Sequence, residues 1–181
     1  MNRQNILNQL ESYASSTKIT KEESKTYHDM WQFILNHTNC FERSCLKGHM
    51  TGSSWILDDS KKHCILMHHR KLDTWLQPGG HADGNPDLAA VALKEAFEES
   101  GIEGIQLLEP TIFDLDIHPI PQYKDTPAHF HYDVRYLCIT PPGAMPVANA
   151  ESHAIIWVPL SEVHRYSTAR SILRLAEKCN F

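Results

Sequence analysis

Hydrophobic and polar positions along the first forty residues follow the period of an α-helix. Ile6, Leu7 and Leu10 mark a short amphipathic segment. A second helix is predicted to begin at Thr20, because Thr20-Lys21-Glu22-Glu23 matches the capping box. Its buried face is supplied further along by residues such as Trp31. The pattern therefore predicts a helical N-terminal extension, residues 1–48, packed on a main domain at residues 49–181.

Beyond this extension the pattern shortens to the period of β-strands, interrupted once by a helix and ended by another. The predicted strands and the last helix are Thr51 to Leu57, His63 to His69, Ile105 to Leu108, Thr111 to Ile117, His129 to Ile139, Ala154 to Val158 and a helix from about Ser167 to Lys178. Strands that alternate with helices favour an α/β fold, specifically an α/β/α sandwich with a mixed β-sheet.

The remaining helix follows a Gly79-Gly80 loop in the middle of the chain. Asn85 is the expected N-cap and Pro86 the expected first helical residue. Gly101 is placed to end the helix in a left-handed conformation. The helix is therefore predicted to run from about residue 86 to residue 100.

Three glutamates on this helix carry the strongest chemical signal. Spacings of three and four residues place Glu95, Glu98 and Glu99 on one face near the helix C-terminus. Like charges at this spacing, at the negative end of the helix dipole, destabilise a helix. A solvated acidic face is the ordinary interpretation. A bound Mg²⁺ ion explains the cluster better, because this cation prefers carboxylate and phosphate oxygens.

The segment resembles the Nudix box, G-x5-E-x7-R-E-U-x-E-E-x-G-U, where U is a bulky aliphatic residue. The positions that match are Gly80, Glu95, Glu98, Glu99, Gly101 and Ile102. The preceding Trp75-Leu76-Gln77-Pro78-Gly79 resembles the W-x-x-P-G approach of many members. The resemblance extends from about Thr51 to the C-terminus and implies a Nudix-like fold for this part of the chain.

Three positions depart from the family pattern. Pro86 replaces the first glutamate, Lys94 replaces the arginine, and Ala96 replaces a bulky aliphatic residue. We interpret Asp83 or Asp87, acting with Lys94, as the substitute for the lost Glu–Arg support. The departures leave open a second function, a non-catalytic Nudix-like ligand-binding or regulatory domain.

The resemblance implies metal-dependent hydrolysis of a pyrophosphate bond in a nucleoside diphosphate derivative or a similar substrate. Mg²⁺ or Mn²⁺ would be held by Glu95, Glu98 and Glu99 with the Gly79 carbonyl. Either Glu98 or Glu151 would deprotonate the attacking water. Glu151 is chosen because the family often places a glutamate several residues before a late Trp-Val-Pro-Leu run, here at Trp157.

Three residues outside the box are candidates for contacts with the substrate. Arg70 lies in the cationic stretch His68-His69-Arg70-Lys71 and has the geometry for bidentate phosphate contact, although a solvated turn explains this stretch equally well. Tyr123, in a proline-bounded loop, and Trp75 are candidates for base stacking. Trp75 is equally well explained as a core residue.

Histidines form a second unusual pattern. The strand beginning at His129 alternates so that His131 and Asp133 share a face, and both are predicted to contact substrate or metal. His81 and His118 are expected nearby. A module that binds zinc or another transition metal is a third functional alternative. The stretch from His37 to His49 holds two cysteines and two histidines in no common zinc spacing, so we interpret it as a connector.

Composition limits the classes of partner. The 181 residues include 41% hydrophobic and 22% charged residues, with a net charge of −5. This composition predicts a globular protein and argues against nucleic acid or an anionic membrane as partner. The family resemblance implies a small nucleotide-like substrate, and a homodimer is also expected. Five scattered cysteines favour reduced thiols in a cytoplasmic protein, and no signal peptide or membrane-spanning run is recognised. Histidine is unusually frequent, at twelve residues.

Overall fold

The structure is a computed structural model that describes residues 3–16 and 19–179. The helices are α1 (Gln4–Ser16), α2 (Lys21–Asn36), α3 (Leu88–Ser100) and α4 (Arg170–Lys178), with a 3-10 helix at Leu160–Arg165. The strands are β1 (Gly48–Leu57), β2 (His63–His69), β3 (Thr74–Leu76), β4 (Gly79–His81), β5 (Gln106–Ile120), β6 (His129–Ile139) and β7 (Ser152–Pro159). Among the described helices, none has the length and apolarity required to cross a bilayer.

The seven strands form one sheet in the order β3-β2-β1-β6-β5, with β4 paired to β1 and β7 paired to β2. β2 has the most extensive pairing shown, running antiparallel to β7 from His63 opposite Pro159 to His69 opposite Ser152. β2 also pairs with β1 and with β3, and the β3 register places His68 opposite Trp75. The predicted α/β class with a mixed sheet and flanking helices is confirmed.

Residue contacts divide the chain into two compact units. The first comprises Met1–Gly52, Gly80–Val91 and Pro110–Tyr136, and the second comprises Ser53–Gly79, Ala92–Glu109 and Leu137–Phe181. Strands β1, β4, β5 and β6 and helix α3 each pass from one unit to the other. The predicted boundary between a helical extension and a main domain is a different division of the chain, and it stays a prediction.

In the first unit, the N-terminal helices form where the sequence predicts them. The Thr20 hydroxyl accepts a hydrogen bond from the Glu23 backbone at 3.2 Å, and the Glu23 carboxylate accepts one from the Thr20 backbone at 2.8 Å. This reciprocal capping box fixes the start of α2. Phe33 on α2 stacks on Tyr132 of β6, with ring centroids 3.7 Å apart. The helix is thereby attached to the strand that also carries His131.

The second unit has an apolar core beneath the C-terminal half of α3. Its buried members are Ile56, Ile65, Met67, Ala96, Ile102, Cys138 and Ile155. Ala96 is completely buried in this cluster, so its small side chain lets the helix lie close to the strands. Packing therefore accommodates one of the three departures from the family pattern.

Helix α3 begins later than predicted. Asp87, not Asn85, is the capping residue, because its carboxylate accepts a hydrogen bond from the Ala90 backbone at 3.0 Å. Asn85 instead accepts from the Asp87 backbone at 3.0 Å, which forms an Asx turn that precedes the helix and includes Pro86. At the other end, Gly101 has φ +67° and donates to the Phe97 carbonyl at 2.8 Å. The predicted glycine stop is confirmed.

Several boundaries also differ from the sequence-based expectation. The two predicted strands around Pro110 are one strand, β5, and the last helix begins at Arg170 after the separate 3-10 helix. The stretch from residue 37 to residue 47 consists of turns, as expected of a connector. Both of its cysteines are buried, and all five cysteines of the chain are free thiols.

Candidate active site

Helix α3 places the three box glutamates in different environments. The Glu99 residue is only 5% exposed, whereas the side chains of Glu95 and Glu98 are 18% and 49% exposed. The acidic face therefore extends from the interior of the second unit to solvent. A cation bound there would contact carboxylates that are already partly removed from water.

Glu99 is the most perturbed of these carboxyl groups. Burial raises the pKa of Glu99 to about 8. The Gly79 backbone N–H, which donates to Glu99 Oε2 at 2.9 Å, acts in the opposite direction, and the charges of Glu95, Glu151 and Glu98 raise the pKa further. A carboxyl group in this position needs an additional positive charge to remain ionised at neutral pH.

Lys94 supplies the positive charge found at this face. Its ammonium group lies 3.2 Å from a Glu95 oxygen and 2.8 Å from a Glu98 oxygen. The two hydrogen bonds raise the pKa of Lys94 above its ordinary value despite slight desolvation. Lys94 therefore contacts two of the three box glutamates at their exposed edge and offsets part of their negative charge.

The aspartates predicted to work with Lys94 have other partners. Asp83 forms a bidentate pair with Arg43, at 2.6 and 2.7 Å. Asp87 caps helix α3. These contacts do not support the proposed Asp–Lys substitute for the Glu–Arg support, which stays a prediction. The contact of Arg43 with Asp83 was not predicted from the sequence, because Arg43 lies forty positions before Asp83 and belongs to no recognisable motif.

A loop before β7 holds Glu151 beside the end of α3. The Asn149 side chain donates to the Glu98 carbonyl at 3.1 Å and accepts from the Glu151 backbone at 2.9 Å. Glu151 itself is exposed, and its charge contributes to the raised pKa of Glu99. The geometry thus brings together Glu95, Glu98, Glu99 and Glu151. Asn149 gave no signal in the sequence, because asparagine is an ordinary residue in turns.

Arg70, just after the end of β2, is hydrogen-bonded to the same loop. Its guanidinium donates to the carbonyls of Ala150 and Ser152 at 3.1 and 2.9 Å, and its backbone donates to the Glu151 carbonyl at 2.9 Å. These contacts position the segment that carries Glu151. The predicted role of Arg70 in phosphate binding stays a prediction.

Trp75 stands on β3, partly buried. Its ring stacks on His68 with centroids 5.0 Å apart and meets Tyr166 edge-on at 5.2 Å. Both neighbours belong to the same unit as the carboxylate cluster. Its role in base stacking stays a prediction.

The other predicted site residues lie in the first unit. Tyr123 is 63% exposed at the tip of the loop between β5 and β6. Asp133 is buried, and its carboxylate accepts from the Thr51 hydroxyl and the Arg135 guanidinium, both at 2.8 Å. His131 lies among other histidine rings rather than beside carboxylates. The predicted substrate contacts of these three residues remain predictions.

Comparison with known proteins identifies the family. Residues 48–177 match the NUDIX domain, which is more than two thirds of the chain. The chain belongs to the Nudix hydrolase family, whose members generally cleave pyrophosphate bonds with divalent metal ions. A comparison with curated proteins gave no significant match.

Solved structures share the fold at low sequence identity. A NUDIX-family hydrolase from Clostridium perfringens is 21% identical, with 73% of this chain and 96% of that chain covered at a TM-score of 0.54. An Ap4A hydrolase from C. elegans is 16% identical, with 71% and 93% covered at 0.55. An E. coli dihydroneopterin triphosphate pyrophosphohydrolase is 15% identical, with 71% and 92% covered at 0.57. These similarities confirm the Nudix-like fold.

Proposed function

We propose that this protein hydrolyses a pyrophosphate bond in a nucleoside diphosphate derivative or a similar substrate. The observation that supports this proposal most directly is the buried Glu99 carboxyl group. It accepts a hydrogen bond from the Gly79 N–H and lies on the same helix face as Glu95 and Glu98. The ionised form of such a group is costly without a nearby cation, and this supports a metal site at Glu99.

The residues present fit a hard divalent cation. Three carboxylates on one helix face supply the oxygen ligands that Mg²⁺ or Mn²⁺ prefers, and the Gly79 carbonyl is a fourth candidate ligand. Lys94 already bridges two of these carboxylates as a positive charge. When bound, the metal would orient the diphosphate, neutralise its charge and lower the pKa of the attacking water.

Two residues are candidates for the base that takes the proton from this water. Glu98 is half-exposed, and its carboxylate forms an ion pair with Lys94. Glu151 is exposed on a loop fixed by Asn149 and Arg70. Glu151 suits the role better, because Glu98 is also needed as a metal ligand. Asn149 and Arg70 would then be positioning residues for this base.

The substrate class is proposed from the site and from related folds. Two structural neighbours are named for substrates that contain linked phosphates, Ap4A and dihydroneopterin triphosphate. Trp75 would stack on a nucleobase and Arg70 would contact a phosphate, as the sequence suggests. Tyr123, His131 and Asp133 are weaker candidates for substrate contact.

Cellular context is part of the same proposal. Five buried free thiols suit a reducing compartment, which supports a cytoplasmic location. The net charge of −5 favours a small nucleotide-like substrate over nucleic acid. Homodimer formation is also proposed, and sedimentation equilibrium would test it.

The experiment is a hydrolysis assay on a panel of nucleoside diphosphate derivatives with Mg²⁺, with Mn²⁺ and with a chelator. We expect metal-dependent release of a nucleoside monophosphate product by the wild-type chain. Binding of panel compounds without hydrolysis under any of these conditions would favour the non-catalytic ligand-binding alternative. The matched control is Glu103→Gln, an exposed glutamate just beyond the end of α3.

A further inference from the structure

A cluster of five histidines occupies the first unit. His49 on β1, His81 on β4, His118 on β5 and the β6 residues His129 and His131 come from four strands. His49 has three histidine neighbours, His81, His129 and His131, with ring centroids 4.9–5.0 Å apart. His118 lies 5.4 Å from His131 by the same measure. No shared sequence motif predicts this convergence.

Three of these side chains offer nitrogens that converge. One ligand nitrogen each from His49, His129 and His131 lies within 4.8 Å of the others. The Nε2 atoms of His129 and His131 are 3.3 Å apart. A tetrahedral zinc site with Zn–N bonds of about 2.0–2.1 Å separates its nitrogens by about 3.3–3.4 Å. Small side-chain shifts therefore bring all three nitrogens to bonding distance of one ion.

The unpaired, buried ring of His49 is an independent observation that points to a bound ligand. Its residue is 4% exposed, and neither ring nitrogen has a hydrogen-bond partner among the described residues. Buried polar groups are normally paired, since an unpaired one loses its hydration without compensation. A metal ion among the three rings would give the His49 lone pair a partner.

The hydrogen bonds of two rings orient the remaining nitrogens. His129 Nδ1 lies 2.9 Å from the Pro127 carbonyl, which can only accept, so Nδ1 carries the proton and Nε2 keeps its lone pair. His118 Nδ1 lies 3.0 Å from the Asp116 carboxylate. Histidines that bind metals usually donate their second nitrogen in this way, to a carbonyl or a carboxylate.

Burial of the rings, with smaller contributions from neighbouring charges, favours neutral histidines in the cluster. Burial lowers the pKa of His49 and of His81 to about 4, and burial also lowers the pKa of His131. The groups that face the cluster are the other histidines, Arg43 and Asp83, with Asp116 beside His118. Neutral imidazole is the form that binds a metal ion.

From this geometry we propose that His49, His129 and His131 bind one first-row transition-metal ion, of which Zn²⁺ is the natural probe. This site is distinct in its ligands from the oxygen-rich site on α3, because imidazole nitrogen selects Zn²⁺-like ions and carboxylate oxygen selects Mg²⁺. With three protein ligands, the fourth position is left to water or to a bound molecule. His129 also lines a groove of about 670 Å³ with Lys47 and Phe130.

The test counts metal in the full chain purified without a histidine tag. The protein is stripped with a chelator, dialysed against Zn²⁺ in excess Mg²⁺, and analysed for bound zinc and for zinc X-ray absorption. We expect one bound zinc ion per chain. We also expect the X-ray absorption spectrum to show the scattering pattern of imidazole ligands. We expect at least about 100-fold weaker binding in His131→Asn and in His129→Gln, and circular dichroism checks that both variants fold.

Two controls separate this site from the proposed active site. His164→Asn changes an exposed histidine and should keep full zinc binding. Glu98→Gln should also keep zinc while it loses pyrophosphate hydrolysis. The proposal is overturned if the wild type retains no zinc, if the absorption spectrum lacks imidazole scattering, or if folded His129→Gln binds zinc as the wild type does.

Discussion

Glu99 accepts a hydrogen bond from the backbone N–H of Gly79, at 2.9 Å, in the interior of the second unit. The contact joins the glycine loop before α3 to the last turn of that helix. It holds the carboxylate against the backbone of Gly79, the residue whose carbonyl the family resemblance names as a metal ligand. The loop and the glutamates therefore form one preorganised group, and a change in either alters the site.

The loop that carries Glu151 gives the first prediction. Replacing Asn149 with Ala removes the link between Glu98 and Glu151, so we expect kcat to fall by about 10–100-fold with KM nearly unchanged. Glu151→Gln should lower kcat by about 10²–10⁴-fold, as expected for loss of a general base. Steady-state kinetics over pH 5–9 checks both. Wild-type kcat in Glu151→Gln would assign the base to Glu98.

Arg70 provides a test that separates two roles. Loss of its two hydrogen bonds to the Ala150 and Ser152 carbonyls in Arg70→Ala should cost about 1–3 kcal/mol of unfolding free energy, measured by urea denaturation. If Arg70 acts only as a positioning residue, kcat falls and KM stays constant. A large rise in KM with unchanged kcat would instead show that Arg70 binds the substrate phosphate.

The buried Arg135 is predicted to be a stability determinant. Its guanidinium, 3% exposed, contacts Asp133 at 2.8 Å, Asp116 at 3.1 Å and Asp114 at 3.3 Å. Arg135→Met would leave these carboxylates without their buried cation and should destabilise the protein by about 3–5 kcal/mol. Thermal and urea unfolding measure this loss. Exposed Arg165→Met is the control, and equal stability of the two variants would refute the assignment.

Asp58 gives a pH-dependent prediction. Partial burial favours a higher pKa for Asp58, but hydrogen bonds from Ser60, Lys62 and His63 outweigh it and leave the pKa below its usual value. Its contribution to stability is therefore complete above the unfolded-state pKa of about 4 and is lost as pH falls through the lower folded-state pKa.

The variant Asp58→Asn should lose about 1–2 kcal/mol of unfolding free energy at pH 7, because a charged acceptor in the β1–β2 turn is replaced by a neutral one. The difference from wild type should shrink below about pH 4. Urea unfolding between pH 3 and pH 7 measures it. A constant difference across this range would show that the Asp58 charge is not responsible.

Local signals in the sequence were sufficient for much of the fold. The short apolar run between His63 and His69 gives the bounds of β2, and the Thr20 capping box gives the start of α2. The start of α3 was misjudged, because Asn85 and Asp87 are both good caps and only the folded loop selects Asp87. Propensity cannot choose between two adjacent caps of similar strength.

The candidate site was predictable only where it is local. Glu95, Glu98 and Glu99 share a helix face by spacing alone. Two contacts in the first unit join residues that are forty or more positions apart in the sequence. They are the contact of Arg43 with Asp83 and that of His49 with His131, and both exist only in the folded chain. No periodic pattern within a single element encodes such pairs. The sequence predicted His81 and His118 near His131, but the place of His49 at the centre of the cluster became visible only in the folded chain.

The most direct test of the central claim is hydrolysis of the best panel substrate by wild type, Glu99→Gln and Glu103→Gln in excess Mg²⁺ and in chelator. We predict that Glu99→Gln lowers kcat/KM by at least about 100-fold, that Glu103→Gln matches wild type, and that chelation abolishes activity. Full activity in Glu99→Gln, or wild-type hydrolysis that persists in chelator, would contradict the assignment of the buried carboxylate to a catalytic metal site.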